Sequence, residues 1–371
     1  MSSSYRAAIE SLLSGTDVSL DGNRPWDVRV NDADFYRRVL SAGSLGVGEA
    51  YMDGQWECER LDEMLYRVFR AGIDRRLPGL RVFWAGLMAR VFNPQTPRRS
   101  FKVGEQHYDI GDDLYQRMLD PRMIYSCAYW RNADSLDAAQ EAKLDLVCRK
   151  LGLEPGMQVL DIGCGWGGAA QFAAERYGVS VTGVTVSRNQ AAAAEERCKG
   201  LPVRILLQDY RSLDGRFDRI YSLGMFEHVG FRNYRVYFET ARRLLAEDGL
   251  FLLHTIGSNV SLETTDPWIE RYIFPNSMLP SMAQIASAVE GLFVVEDWHA
   301  FGPYYDRTLL EWHGRFRAAW PELAQRYGER FRRMWEFWLL SSAAGFRARR
   351  LQLWQVLLSP NGIAGGCEEV R

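Results

Sequence analysis

The stretch Val159-Leu160-Asp161-Ile162-Gly163-Cys164-Gly165-Trp166-Gly167-Gly168 constrains this chain more than any other. A short apolar run reads as a buried strand, the glycines as a tight turn, and Trp166–Tyr177 as the helix that follows. The surrounding chain repeats that alternation. Residues 135–151 have a helical pattern closed by Gly152 and Pro155-Gly156. Met157–Asp161, Val179–Val184, Val203–Leu207, Arg219–Leu223 and Leu250–Leu253 read as short apolar strands, with helices near Asn189–Cys198 and Asn233–Ala246. After Gly257 come an irregular insertion, a strand at Phe293–Trp298, a long helical stretch and a last strand at Leu351–Leu358. This predicts an α/β chain with a doubly wound, Rossmann-like parallel sheet carrying helical insertions. Ligands of such sheets bind at the carboxyl ends of the strands.

A length of 371 residues suggests about two domains. Residues 1–74 are mixed in pattern, with turns at Asp21-Gly22-Asn23 and Asp53-Gly54 and helices expected near Ala33–Ser41 and Leu61–Arg70. The expected division is a small N-terminal α+β domain over 1–85, a linker over 86–100 and a main domain over 101–371. Near the first boundary, Met64 to Lys102 holds nine basic residues and one acid, Asp74. Within it Leu80, Phe83, Trp84, Leu87, Met88 and Val91 form one helical stripe, flanked by Arg76, Arg81 and Arg90. Such a helix either packs on the domain with a solvated basic face or lies on an anionic lipid surface, its arginines snorkelling.

The whole-chain charge of −2 excludes the basic field of a general nucleic-acid binder. Six cysteines without a CxxC pair read as reduced thiols, and MSSSYRAAIE lacks a secretory pattern, so a cytoplasmic protein is expected. The long uncharged stretch Tyr272–Val289 contains Pro275, Asn276 and Pro280 and is not a membrane span. The histidines at 107, 228, 254, 299 and 313 show no metal-ligand spacing, so no metal is expected.

The glycine turn formally satisfies GxGxxG, a weak signal alone. Two details choose its ligand. A nicotinamide site expects an acid about twenty residues on, for the ribose. Here that position reads Thr182-Gly183-Val184-Thr185-Val186, without a carboxylate. Instead Asp161 immediately precedes the glycines, and Asp209 follows the third strand, where it can meet an adenine amino group. This arrangement resembles the class I S-adenosylmethionine-dependent methyltransferases. The resemblance narrows at Tyr125-Ser126-Cys127-Ala128-Tyr129-Trp130, Gly224-Met225-Phe226-Glu227-His228-Val229-Gly230, His254-Thr255-Ile256-Gly257 and Tyr305-Asp306-Arg307-Thr308-Leu309. With VLDIGCGWGG and Val184-Thr185-Val186-Ser187-Arg188-Asn189-Gln190, these blocks resemble the cyclopropane-fatty-acyl-phospholipid synthase family. The likeness runs from about Lys102 to Pro360 and extends to Gly43-Ser44-Leu45-Gly46-Val47-Gly48-Glu49-Ala50-Tyr51-Met52-Asp53-Gly54.

The resemblance implies methylene transfer from S-adenosylmethionine to a cis double bond in an acyl chain of a membrane phospholipid. An isolated alkene is a poor nucleophile, so it must meet the sulfonium methyl in a dry, aligned pocket. The resulting carbocation suits aromatic faces, which this chain has in quantity at 13 % of its residues. A base must then take a proton from the added methyl before the ring closes. By resemblance, that base is bicarbonate held by Cys127, Glu227, His254, Ile256 through its backbone, and Tyr305. Glu227 beside an anion is repulsive unless a proton is shared between them. By resemblance again, S-adenosylmethionine is held by Tyr125, Ser126, Asp161, Gly163, Gly165, Trp166, Gly167, Thr185, Gln190, Asp209 and Tyr210. The family also implies a homodimer in peripheral contact with an anionic membrane. Alternatives remain open at this stage: alkene methylation without ring closure, a small-molecule N- or O-methyltransferase, or a non-catalytic lipid-surface protein. Each site residue also has a plainer use, Cys127 as a small buried hydrophobe and His254 as a bonded core histidine among them.

Overall fold

The computed structural model describes residues 2–73 and 111–371. The stripe at 75–92, the linker over 86–100 and His107 lie outside the described residues. Among the described residues the chain forms two compact units. One takes the described part of Met1–Phe92 together with Glu263–Pro275 and Tyr305–Leu351; the other takes that of Asn93–Leu262 with Asn276–Tyr304 and Gln352–Arg371.

The first unit contains helices α1 (Ser2–Leu13), α2 (Asp34–Met52) and α3 (Leu61–Arg70), with a short antiparallel pair, β1 (Arg29–Val30) and β2 (Trp56–Glu57). α2 runs past the expected end at Ser41. Gly43 takes φ +57° and kinks the helix, which then resumes to Met52. Glycine permits that break without ending the element. Trp56 and Trp268 are almost fully buried and both pack edge-on to Phe337, at 6.4 and 4.8 Å between ring centroids. Arg347 gathers the acids of this unit, bonding both oxygens of Asp306 at 2.9 and 3.0 Å and Asp62 at 2.9 Å. A bidentate, half-buried guanidinium of this kind fixes geometry better than an exposed pair does.

The second unit is built on a seven-stranded sheet. Its strands are β3 (Gln158–Ile162), β4 (Ser180–Thr185), β5 (Val203–Leu207), β6 (Phe217–Leu223), β7 (Leu245–Ser258), β8 (Val294–Ala300) and β9 (Leu351–Ser359). Their order is β5-β4-β3-β6-β7-β9-β8. Pairs β3–β4, β4–β5, β3–β6 and β6–β7 are parallel, and β8 runs antiparallel to β9. The expected doubly wound α/β sheet is therefore present, mostly parallel.

Both faces are covered, which is why these strands read as continuous apolar runs rather than alternating ones. Leu160, Ile162, Ile220 and Leu253 pack on one face with Tyr237, Phe238, Ala241, Ile285 and Val289. Val159, Val181, Tyr221 and Leu252 pack on the other with Leu144, Val147, Ala170 and Phe172. Neighbours such as Val159 and Leu160 face opposite ways, as strand geometry requires. Phe238 and Phe251 are fully buried, and truncating either to alanine costs about 3–5 kcal/mol by the usual cavity penalty.

The chain winds from β3 outward through β4 to β5, then returns to the other side of β3 with β6. The carboxyl ends of β3 and β6 thus form the switch point where open sheets bind ligands.

Candidate active site

Beyond β3 the backbone turns through Gly163, Gly165 and Gly167 with φ of +89°, +53° and +81°. The helix therefore starts at Gly168 rather than at Trp166. The glycines are required for different reasons. A Cβ at Gly167 would lie 2.9 Å from that of Ala194, and one at Gly168 would lie 2.0 Å from the carbonyl oxygen of Arg122, so both are demanded by packing. A Cβ at Gly165 would meet nothing within 4 Å, so the turn is open there. Asp161, at the end of β3, is 2 % exposed and its Oδ2 has no hydrogen-bond partner. Burial pushes its carboxyl up to about 7, against the opposing influence of nearby Tyr221 and Lys143.

The remaining cofactor candidates ring this turn from separate elements. Thr185 ends β4 and donates its hydroxyl to Gln190 Oε1 at 2.9 Å, both side chains being buried. Ser187 caps the next helix, Arg188–Arg197, by accepting from the Gln190 N–H. Trp166 donates its indole N–H to Asp112 Oδ1 at 3.2 Å and stacks obliquely on Tyr115, which meets Tyr125 edge-on at 5.1 Å. Tyr125 and Ser126 lie against the end of β6, since a Cβ at Gly224 would be 3.6 Å from that of Ser126. Asp209 follows β5, but its carboxylate is engaged by Arg211 at 2.8 and 2.6 Å. An adenine amino group reaching it must use a remaining lone pair or displace Arg211. Tyr210 packs edge-on against Tyr237 at 5.3 Å.

The second group gathers at the ends of β6 and β7. Glu227 lies in a short 3-10 turn after β6 and is buried. Its Oε1 accepts the Ile256 N–H at 2.7 Å, while Oε2 has no partner. The Ile256 N–H, expected from the resemblance to face an anion, is thus already used. Burial pushes Glu227 up to about 7 and its neighbour His228 down to about 4. His254 pairs in register with Leu223 and lies two residues before Ile256 on β7. Its ring is 1 % exposed; burial, reinforced by the Lys143, Lys150 and His299 charges, holds it well below the ordinary histidine range. The Gln355 amide nitrogen lies 3.4 Å from Nδ1, and Nε2 is buried with no partner. Cys127 is fully buried in the loop that carries Ser126. Tyr305 belongs to the first unit, where its ring packs on Phe346 at 4.6 Å and edge-on to Trp312 at 5.9 Å.

Three buried polar residues of this region were not singled out from the sequence. Gln140 and Lys143, on helix Leu136–Lys150, are fully buried. They donate to the Ser126 backbone oxygen at 2.9 Å and to its Oγ at 2.8 Å. Gln355, also fully buried, reaches His254 from β9. A signal for the first pair exists: Leu136, Ala139, Gln140, Lys143, Leu144 and Val147 form one helical stripe, and two polar members of a buried stripe demand partners.

The profile of the mycolic acid cyclopropane synthetase family matches residues 95–356. The chain is 55 % identical to the cyclopropane-fatty-acyl-phospholipid synthase of Escherichia coli (strain K12), over 99 % of this chain and 96 % of that one. It is 34 % identical to a tuberculostearic acid methyltransferase of Mycobacterium tuberculosis, over 88 % of this chain and 81 % of the relative. Among solved structures, a cyclopropane synthase from Mycobacterium tuberculosis superposes with a TM-score of 0.66 at 33 % identity, covering 70 % of this chain and 97 % of that one. A mycolic acid cyclopropane synthase complexed with SAH and CTAB gives 0.65 at 35 % identity, with the same coverage. The breadth of the first match and the fold shared with the others place this chain in the mycolic acid cyclopropane synthetase family.

Proposed function

We propose that this chain transfers a methylene from S-adenosylmethionine to the cis double bond of an unsaturated acyl chain of a membrane phospholipid, closing a cyclopropane ring. Near-full-length identity to a relative of that name supports the substrate class. The observation that carries the chemistry is a pair of buried, unsatisfied atoms on neighbouring stretches of chain: Nε2 of His254, on β7, and Oε2 of Glu227, in the turn after β6. Orphaned buried polar atoms are costly, and native structures keep them where a ligand completes them.

The residues present fit both groups that the reading requires. S-adenosylmethionine, when bound, supplies an electrophilic methyl; the open face of Gly165 and the unpartnered Asp161 Oδ2 suit its approach. Bicarbonate, when bound, supplies the base for the methyl proton. Such an ion both accepts and donates, so His254 Nε2–H would donate to it and Glu227 Oε2 would accept its hydroxyl proton. The Ile256 N–H holds the other oxygen, Oε1, which supports a fixed carboxyl in this reading. A carboxyl raised to about 7 also tolerates an anion beside it, because it readily takes up a proton. Cys127 joins the proposed set within the second unit, Tyr305 is assigned to it by the resemblance alone, and Thr185, Gln190, Asp209 and Tyr210 form the cofactor side. Full burial of Cys127 and His254 keeps bulk water from a carbocation.

No helix among the described residues is long and apolar enough to cross a membrane. The basic, amphipathic sequence of 75–92 and the family resemblance, not that observation, lead the reading to include a peripheral contact on an anionic cytoplasmic membrane surface, and a homodimer. Incubating the protein with S-adenosylmethionine and vesicles of unsaturated phospholipid, then analysing the lipids by mass and proton resonance, tests the function. Gain of one methylene with loss of the olefinic signal is expected. Gain with the olefin retained would instead establish methylation without closure, a reading favoured by the tuberculostearic acid methyltransferase among the relatives. Cofactor binding without any lipid product would leave a non-catalytic lipid-surface protein.

A further inference from the structure

We propose that Lys143 is a positioning residue that makes the Ser126 hydroxyl a one-way donor. Its ammonium occupies the hydroxyl oxygen, and the hydroxyl proton is left for an acceptor atom of the bound cofactor. The inference rests on the reading that this loop holds S-adenosylmethionine.

A direct contact carries it. Lys143 is fully buried on helix Leu136–Lys150, and its Nζ donates to Ser126 Oγ at 2.8 Å. An ammonium has three donors and no lone pair, so it can give a proton to a hydroxyl but never take one. Burial lowers the Lys143 amine to about 8, against the opposing influence of Asp120, which leaves it charged at neutral pH. The Ser126 proton must therefore point elsewhere. Among the described residues no protein acceptor takes it, and Ser126 is itself buried. A buried donor without an acceptor is unfavourable, and such groups persist where a ligand completes them. A buried charge is costly for the same task only if the task is merely to bond a serine. A glutamine could bond this hydroxyl in either sense, donating or accepting; a cation fixes the sense.

The place of the hydroxyl is fixed as well as its direction. Gln140, three residues before Lys143 on the same helix face, donates to the Ser126 backbone oxygen at 2.9 Å and to the Ile124 oxygen at 3.3 Å. Asp120 Oδ1 accepts the Ile124 N–H at 2.9 Å, holding the segment from its other end. The segment lies at the ligand edge of the sheet, since a Cβ at Gly224, just past β6, would be 3.6 Å from that of Ser126. β6 adjoins β3, whose end carries the glycine turn. Without the ammonium, the hydroxyl is free to rotate and to turn a lone pair on the cofactor's acceptor, at the cost of affinity.

The test is a double-mutant cycle on affinity for S-adenosylhomocysteine, measured near neutral pH by calorimetric titration into the full-length protein. Wild type is compared with Lys143→Met, Ser126→Ala and the double variant. Each single variant should bind about tenfold more weakly, the order expected for one buried hydrogen bond. The double variant should be no weaker than Ser126→Ala, because the lysine acts through that hydroxyl. A lysine that only braced the helix would weaken binding in the Ser126→Ala background as well. Wild-type affinity in either single variant, or losses that multiply to about a hundredfold in the double variant, would each overturn the inference. Wild-type protein that fails to bind S-adenosylhomocysteine at all would instead overturn the reading beneath it. Should Lys143→Met not fold, Lys143→Gln takes its place in the cycle with the same expectations, since its amide oxygen can accept the hydroxyl proton.

Discussion

Ile256 donates its backbone N–H to Oε1 of Glu227 at 2.7 Å, and the other oxygen of that carboxylate is buried without a partner. β7 thus holds a carboxyl of the turn after β6, at a residue two positions beyond His254. The arrangement is locally unfavourable: a desolvated acid keeps an unsatisfied oxygen, which a purely structural glutamate would not.

That cost has a pH signature. Because the folded protein raises the Glu227 carboxyl to about 7, the folded state holds a proton that the unfolded chain has released above its ordinary value near 4.5. Glu227 therefore contributes stability that is fully present at low pH and is lost as pH rises towards 7. Glu227→Gln should match wild type in melting temperature near pH 4 and exceed it near pH 8. The gain is a few kcal/mol at most, at about 1.4 kcal/mol per tenfold change in proton affinity. Turnover should fall by at least about a hundredfold, as for loss of an acid–base group. Parallel melting profiles across that range would show that the carboxyl is not desolvated.

A residue 101 positions away stands 3.4 Å from Nδ1 of His254 and biases its tautomer. Gln355→Leu removes that polar partner and frees the ring to change tautomer. Turnover should drop by roughly one to two orders of magnitude with unchanged affinity for S-adenosylhomocysteine, and His254→Ala should do the same. Steady-state kinetics combined with calorimetry decides this; a variant that weakens cofactor binding instead would place His254 on the cofactor side.

In the glycine turn, Gly165 faces open space while Gly167 and Gly168 are packed against neighbours, so the proposed cofactor approach and the packing can be tested separately. Gly165→Val should weaken S-adenosylmethionine binding strongly. It should destabilise the fold by roughly 1–2 kcal/mol, the strain of a side chain in the left-handed region. Gly168→Val, whose Cβ would sit 2.0 Å from the Arg122 carbonyl oxygen, should instead prevent folding. Circular dichroism and calorimetry on the two variants check both. A folded Gly165→Val that binds normally would remove the turn from the cofactor site.

Residues 75–92 offer a prediction from sequence alone. Charge reversal at Arg76, Arg81 and Arg90 should reduce co-sedimentation with anionic vesicles, each arginine contributing about 1 kcal/mol at low salt. Activity on detergent-dispersed lipid should suffer less. Undiminished vesicle binding would leave the stripe as a packing surface.

Much of the second unit was legible from local pattern. β5 spans Val203–Leu207 as expected, and the helix expected over 135–151 spans Leu136–Lys150. Strands buried on both faces and helices with one apolar stripe write their periods directly into consecutive residues. The position of Glu227 after an apolar strand was readable for the same reason, whereas His254, expected just past a strand, lies inside β7. β7 was underestimated, spanning Leu245–Ser258 against the expected Leu250–Leu253, because Glu247, Asp248 and Gly249 interrupt the apolar pattern without interrupting the strand.

What local sequence determined is the alternation of elements and the glycine turn, since both depend on backbone preference and short-range periodicity. What only the tertiary structure decided is which polar atoms meet. Gln355 reaches His254 because β9 inserts beside β7, Lys143 reaches Ser126 because a helix packs under a loop, and Gly165 differs from Gly167 because Ala194 stands behind only one of them. Those contacts join residues distant in sequence, and hydrogen bonds and steric clashes act over a few ångströms of space, whatever the distance along the chain.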